Sequence, residues 1–162
     1  MENFSDIGTT KTATPKVVAF DFDGTVVLTM QRYGRVAAAL IAGTYETDPV
    51  SAYDGYMTTS GIPFRHQLEL MFPGDSRNEK IAEQFEIDKL EVLKVTPPDS
   101  EVFELFAQLI GSGIAPAISS NNGYSVVQHY VKQFELPAML ALGYKEGFGK
   151  GKPHIDFMCE YF

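Results

Sequence analysis

The spacing of apolar and polar positions changes period several times along the chain, and each change marks an element. Lys16–Phe22 (KVVAFDF) contains an unbroken apolar run, the pattern of a central parallel strand buried on both faces. It runs into Asp23-Gly24-Thr25, which is turn chemistry. From about Thr29 to Pro98 the apolar positions recur at helical spacing. Gln31–Ala42 reads as an Ala-rich helix, and Pro63–Phe72 sets Phe64, Leu68 and Met71 on one face. Ser76 followed by Glu79 is a capping-box signature for a helical stretch through Val95. Its apolar positions are Ile81, Phe85, Leu90 and Leu93, with room for a break midway.

Pro97-Pro98 punctuates, and another helix follows with Val102, Phe103, Leu105, Phe106, Leu109 and Ile110 on one face before Gly111 and Gly113. Ile114–Ile118 is a second strand running into Ser119-Ser120-Asn121-Asn122-Gly123. Tyr124–Glu135 is helical by pattern, Met139–Leu142 is a third strand, and a Gly-rich loop leads to a last helix, Pro153–Phe162, with Pro in its first turn. Strands alternating with helices predict an α/β fold with a parallel, Rossmann-like sheet and an inserted helical cap. The expected division is a disordered polar tail over 1–15, a core of 16–28 with 99–162, and the cap over 29–98.

Composition narrows the function. A chain of 162 residues suits one core domain with a modest insertion, not two full domains. A net charge of −8 argues against nucleic acid and anionic membrane as partners, because both need a basic surface. No apolar run approaches the roughly 18–20 residues that span a bilayer, and residues 1–14 have the character of neither a signal nor a transit peptide. The single cysteine, Cys159, permits no intramolecular disulfide and reads as a small buried hydrophobe, in keeping with a reducing cytoplasm.

The chemistry concentrates in three places. Asp21 and Asp23 stand two residues apart at the C-terminal end of a strand and point to the same side of an extended chain. Open α/β sheets place their ligands at that edge. Carboxylates buried there need a cation or hydrogen bonds to compensate, so Mg²⁺ is the natural partner. Ser120 and Asn121 follow the second strand and supply a hydroxyl and an amide for phosphate oxygens, with Ser119 as the adjacent alternative. Lys152, in Gly151-Lys152-Pro153, could neutralise both phosphate and nucleophile, and Lys150 competes with it. Taken singly, each motif is also an ordinary turn, loop or surface charge. His66, His129 and His154 show no metal-ligand spacing and read as structural or surface residues.

In this order and spacing the three motifs resemble those of the haloacid dehalogenase (HAD) superfamily, over roughly residues 16–160. The helical insertion looks like the type-one cap of its phosphoglycolate phosphatase and β-phosphoglucomutase group. The resemblance implies a Mg²⁺-dependent phosphatase of small phosphorylated metabolites. Asp21 would be the nucleophile that forms an aspartyl-phosphate, and Asp23 the general acid and base. Mg²⁺ would sit on the Asp21 carboxylate and the Asp23 backbone carbonyl. Ser120, Asn121 and Lys152 would hold phosphoryl oxygens, Thr25 would brace the loop, and Arg65 sits where cap loops of this group meet substrate.

Two departures stand out. Val27-Leu28-Thr29 replaces the usual acidic residue and Ser after the first motif, keeping only the hydroxyl. A fourth acidic strand motif, normally found well after the lysine, has no counterpart in residues 153–162. The expected consequences are an open edge beside the Asp21 strand, a place for pairing with a second copy, and a thinner metal shell. A truncated chain, a sheet completed in trans, or a catalytically impaired interaction or regulatory module would each account for it. A phosphorylatable signalling receiver is disfavoured, since it would have no use for a cap or for Asp23.

Overall fold

Three short strands in parallel set the frame of the computed structural model, which describes residues 14–162. They are β1 (Val17–Asp21), β2 (Ala115–Gly123) and β3 (Leu140–Tyr144), in the order β1-β2-β3. The expected N-terminal tail lies almost wholly outside the described residues. Val17 pairs with Ala115 and Asp21 with Ser119, so the acidic end of β1 arrives level with the serine end of β2. Ala117 pairs with Leu140 and Gly123 with Tyr144, with an irregular register between Ser119 and Gly123.

The two faces of β2 follow from strand alternation. Ile118 points into a cluster with Phe22, Val27, Phe106, Val127 and Tyr130. That face is covered by α5 (Ser100–Gly111) and α6 (Tyr124–Gln133). Ala117 points the other way, against Leu142 and Met158 of α7 (Lys152–Tyr161). The sheet is thus sandwiched between helices, the arrangement expected for parallel strands. β2 is buried from Ala115 to Ser120. β1 lies at the sheet edge, in line with the open edge expected beside the Asp21 strand, and is not buried on both faces as its apolar run suggests: Ala19 and Asp21 are exposed.

Four helices fill the stretch between β1 and α5: α1 (Met30–Tyr45), α2 (Pro49–Thr58), α3 (Phe64–Met71) and α4 (Asn78–Lys94). They form a helical lobe around Tyr33, Ala37, Ile41, Tyr56, Phe64, Leu68 and Phe85. Burying an aromatic ring such as Phe85 contributes about 1.5–3 kcal/mol. Asp48 caps α2 by accepting from the Ser51 backbone at 2.9 Å, with Pro49 opening the helix. The Ser76 capping box does not form. α4 begins two residues later with Arg77 at its N-cap, and Glu79 pairs instead with Arg65. α4 then runs unbroken for 17 residues.

Cys159 is exposed on α7, not buried as its type suggests, because Met158 and His154 take the inward face of that helix.

Candidate active site

The turn after β1 is built by the backbone. The N–H groups of Val26 and Val27 donate to the Phe22 carbonyl at 3.1 and 3.0 Å, and Gly24 donates to the Val27 carbonyl at 2.7 Å. Gly24 has a φ of 77°, which a side chain would strain, so the glycine lets the chain fold back beside its own carboxylates. Phe22, Val26 and Val27 anchor the turn in the core, while Asp21 and Asp23 stay at its mouth.

Asp23 is fixed through both oxygens. Thr29 Oγ1 donates to Oδ1 at 3.0 Å, and Asn122 Nδ2 donates to Oδ2 at 2.7 Å. Asp21 Oδ1 accepts from the Phe22 backbone at 2.7 Å and pairs with Lys150 Nζ, also at 2.7 Å. Its Oδ2 has no hydrogen-bond partner among the described residues. The end of β2 supplies the facing wall. Ser120 Oγ accepts from the Asn122 backbone at 3.0 Å, and Asn121 Oδ1 accepts from the Lys150 backbone at 3.2 Å. Asn121 thereby ties the lysine loop to the strand.

β3 comes unusually close here. A Cβ on Gly143 would lie 2.5 Å from Tyr124 Cα and 2.8 Å from the Asn122 carbonyl oxygen, so only glycine lets β3 pass so close to the junction of β2 and α6.

These groups share one cavity of about 750 Å³ between sheet and lobe. Its floor is Asp21, Asp23, Ser120, Asn121, Asn122 and Lys150; its roof includes Tyr33, Tyr56, Phe85 and Lys89. The Tyr33 hydroxyl is buried beside Asp23 and Thr29, without a hydrogen bond of ordinary geometry among the described residues. Burial first, and then the negative charge of Asp23, push its pKa up, so it stays a neutral donor. Burial and the same carboxylate push Tyr56 up to about 12.

The structure places the alternative residues in different surroundings. Ser120 lines the cavity, whereas Ser119, one step along the strand, turns its hydroxyl to the opposite face and meets His154 Nδ1 at 2.9 Å. Lys150 is the cation at Asp21, while Lys152 sits in the first turn of α7 with its ammonium on Asp156. Arg65 points into solvent against Glu79, and Thr25 is exposed in the turn; neither lines the cavity. The sequence motifs do not point to Thr29, Asn122, Tyr33 or Lys89 as site residues. Thr29 has a signal as the one hydroxyl retained after the first motif; the other three have none.

The Asp21 carboxylate suits Mg²⁺, which proteins bind through one or two carboxylates while water and substrate phosphate complete the shell; both Asp23 carboxylate oxygens are already taken by Thr29 and Asn122. Among the described residues no group of three His, Cys, Asp or Glu side chains could cage a metal. No described helix is long and apolar enough to cross a membrane.

No protein-family model matches the chain, and no curated protein sequence matches it. Solved structures do. A protein assigned as a phosphoglycolate phosphatase from Lactobacillus delbrueckii subsp. bulgaricus superposes with a TM-score of 0.65 at 18% identity, covering 90% of this chain and 72% of its own. A haloacid dehalogenase-like hydrolase from Streptococcus pneumoniae gives 0.64 at 16% identity, covering 91% and 71%. A HAD-superfamily hydrolase of subfamily IA from Geobacter sulfurreducens gives 0.62 at 13% identity, covering 91% and 72%. At these identities the likeness establishes the fold, and the chain has the HAD-like one.

Proposed function

We propose that this chain is a Mg²⁺-dependent phosphohydrolase of small phosphorylated metabolites, working through an aspartyl-phosphate on Asp21. The observation that carries the reading is the convergence of Asp21, Asp23, Ser120, Asn121 and Lys150 on one cavity at the C-terminal edge of a parallel sheet.

In this reading an Asp21 oxygen attacks phosphorus while the bond from phosphorus to the leaving oxygen breaks. Asp23, protonated at that moment, gives its proton to the departing oxygen. Water then attacks the aspartyl-phosphate, Asp23 takes its proton, and inorganic phosphate leaves with the Asp21 carboxylate restored. Both Asp23 oxygens accept hydrogen bonds in the structure, which fits the ionised form needed for the second half. Ser120, Asn121 and Lys150 hold the phosphoryl oxygens, the electrostatic contribution that dominates such transfers. The Asp21 carboxylate and the Asp23 backbone carbonyl would hold Mg²⁺, which would offset negative charge between nucleophile and phosphate. The lobe serves as the cap, its residues 29–98 forming the roof and excluding water. An exposed, unpaired Cys159 suits a reducing cytoplasm.

The test is hydrolysis of an aryl phosphate with and without Mg²⁺, beside Asp21→Asn. Metal-dependent turnover that disappears in the variant is the expected result. A folded wild type without turnover would overturn the reading and leave a non-catalytic interaction module on the same fold.

A further inference from the structure

Lys89 projects from α4 across the cavity and donates to Asn122 Oδ1 at 2.9 Å, with 19% of its side chain exposed. Its ammonium lies 5.4 Å from the centre of the Tyr33 ring, and Glu86 stands 3.9 Å away on the same helix. The amide it meets is the one that donates to Asp23 at 2.7 Å. The direction of this chain of contacts is fixed by chemistry. An ammonium only donates and an ionised carboxylate only accepts, so the amide between them must turn Oδ1 to Lys89 and Nδ2 to Asp23.

We infer that Lys89 is a positioning residue: by holding Asn122, it couples the seating of the helical lobe to the orientation of Asp23. The inference rests on the phosphohydrolase reading, which makes Asp23 the acid and base. With α4 lifted away, Asn122 Oδ1 loses its partner and the amide is free to turn about a soft terminal torsion. The Asn122 bond to Asp23 is then no longer fixed from its far side, and the Thr29 bond stays as the one that does not depend on Asn122. The proton-handling group is therefore locked only once the roof is down, after substrate has been enclosed. Lys89 and Asn122 belong to the lobe and the sheet respectively, so neither can fix the other unless the two halves are together.

Two variants test this, Lys89→Met and Lys89→Arg, with two readouts. The first is the side-chain amide signal of Asn122 in the ¹⁵N-labelled protein, which requires no turnover. The second is kcat and KM, measured separately on an aryl phosphate. Lys89→Met is expected to melt cooperatively, to shift the Asn122 amide signals and speed their exchange, and to lower kcat about tenfold or more with KM within about twofold. Lys89→Arg, which still donates, is expected to keep the amide signals and recover most of kcat. Unchanged Asn122 signals in Lys89→Met overturn the coupling. So does a raised KM at constant kcat, which would make Lys89 a direct substrate ligand. A wild type without turnover sinks the phosphohydrolase reading instead, and the amide signals then decide the Lys89–Asn122–Asp23 linkage by themselves.

Discussion

Lys150 Nζ lies 2.7 Å from Asp21 Oδ1, and the Lys150 backbone donates to Asn121 Oδ1, so one residue joins the expected nucleophile to the end of β2. The pair is partly exposed, with 36% and 47% of the two side chains open to solvent, and surface ion pairs of this kind add little to stability. In the proposed phosphohydrolase its value would lie in the charge it presents to a phosphoryl group.

Lys150→Ala is therefore expected to lower kcat/KM for an aryl phosphate by about 10²–10³, the scale of removing one preorganised electrostatic donor. Lys152→Ala, which removes only a surface pair with Asp156, is expected to change it by no more than about twofold. Steady-state kinetics of the two variants side by side checks the assignment; the reverse ranking would return the role to Lys152.

Gly143→Ala tests the close approach of β3. The new methyl would need space that the backbone of Asn122 and Tyr124 already occupies. A destabilisation of about 1–3 kcal/mol is expected from overpacking, read as a lower denaturant midpoint. Activity should fall with it, because the displaced end of β2 carries Asn121 and Asn122. A variant as stable and active as wild type would show that the approach is looser than described.

His154 makes stability depend on pH. Its ring is buried, Nδ1 meets the Ser119 hydroxyl, and Nε2 makes no hydrogen bond of ordinary geometry among the described residues. Burial above all holds its pKa below the ordinary histidine value, against the opposing pull of the Gly143 and Phe148 backbone and with a small contribution from the Lys150 charge. The unfolded chain then takes up a proton near pH 6.5, while the folded chain still resists it. Stability is level above that pH and falls as pH drops through it towards the lower folded value. Melting temperature measured from pH 8 to 5 should decline at the acid end, and His154→Gln should flatten that decline. A variant with an unaltered profile would assign the acid sensitivity to the carboxylates.

Most of the fold is legible in the sequence because periodicity reports burial directly. Ile118 and the Val127–Val131 spacing carry β2 and α6, and the stripe through Val102 and Phe106 carries α5. The failures have physical causes. Ser119–Gly123 has the composition of a turn, yet β2 continues through it by pairing with β3 at Gly123 and Tyr144. β1 has the apolar run of a central strand, but its rank in the sheet depends on neighbours that its own residues do not encode. At the site, Asp21 and Asp23 are visible because their spacing is local. The choice of Lys150 over Lys152 depends on where α7 begins: Pro153 places Lys152 in the first turn, four residues from Asp156, and the helix turns its ammonium away. Lys89 is one charge among many on α4, and no spacing distinguishes it.

Helix α4 has a mechanical consequence. Phe85 belongs to the lobe cluster and Leu93 to the sheet cluster, about 12 Å apart along one uninterrupted helix. The helix is thus a see-saw pivoted at its C-terminal end, with Lys89 partway along the beam. Tilting it while Leu93 stays seated moves Lys89 less than it moves Phe85, yet a hydrogen bond of 2.9 Å breaks with a far smaller swing than an aromatic cluster does. Under the proposed coupling the polar contact over the cavity would let go before either apolar cluster separates.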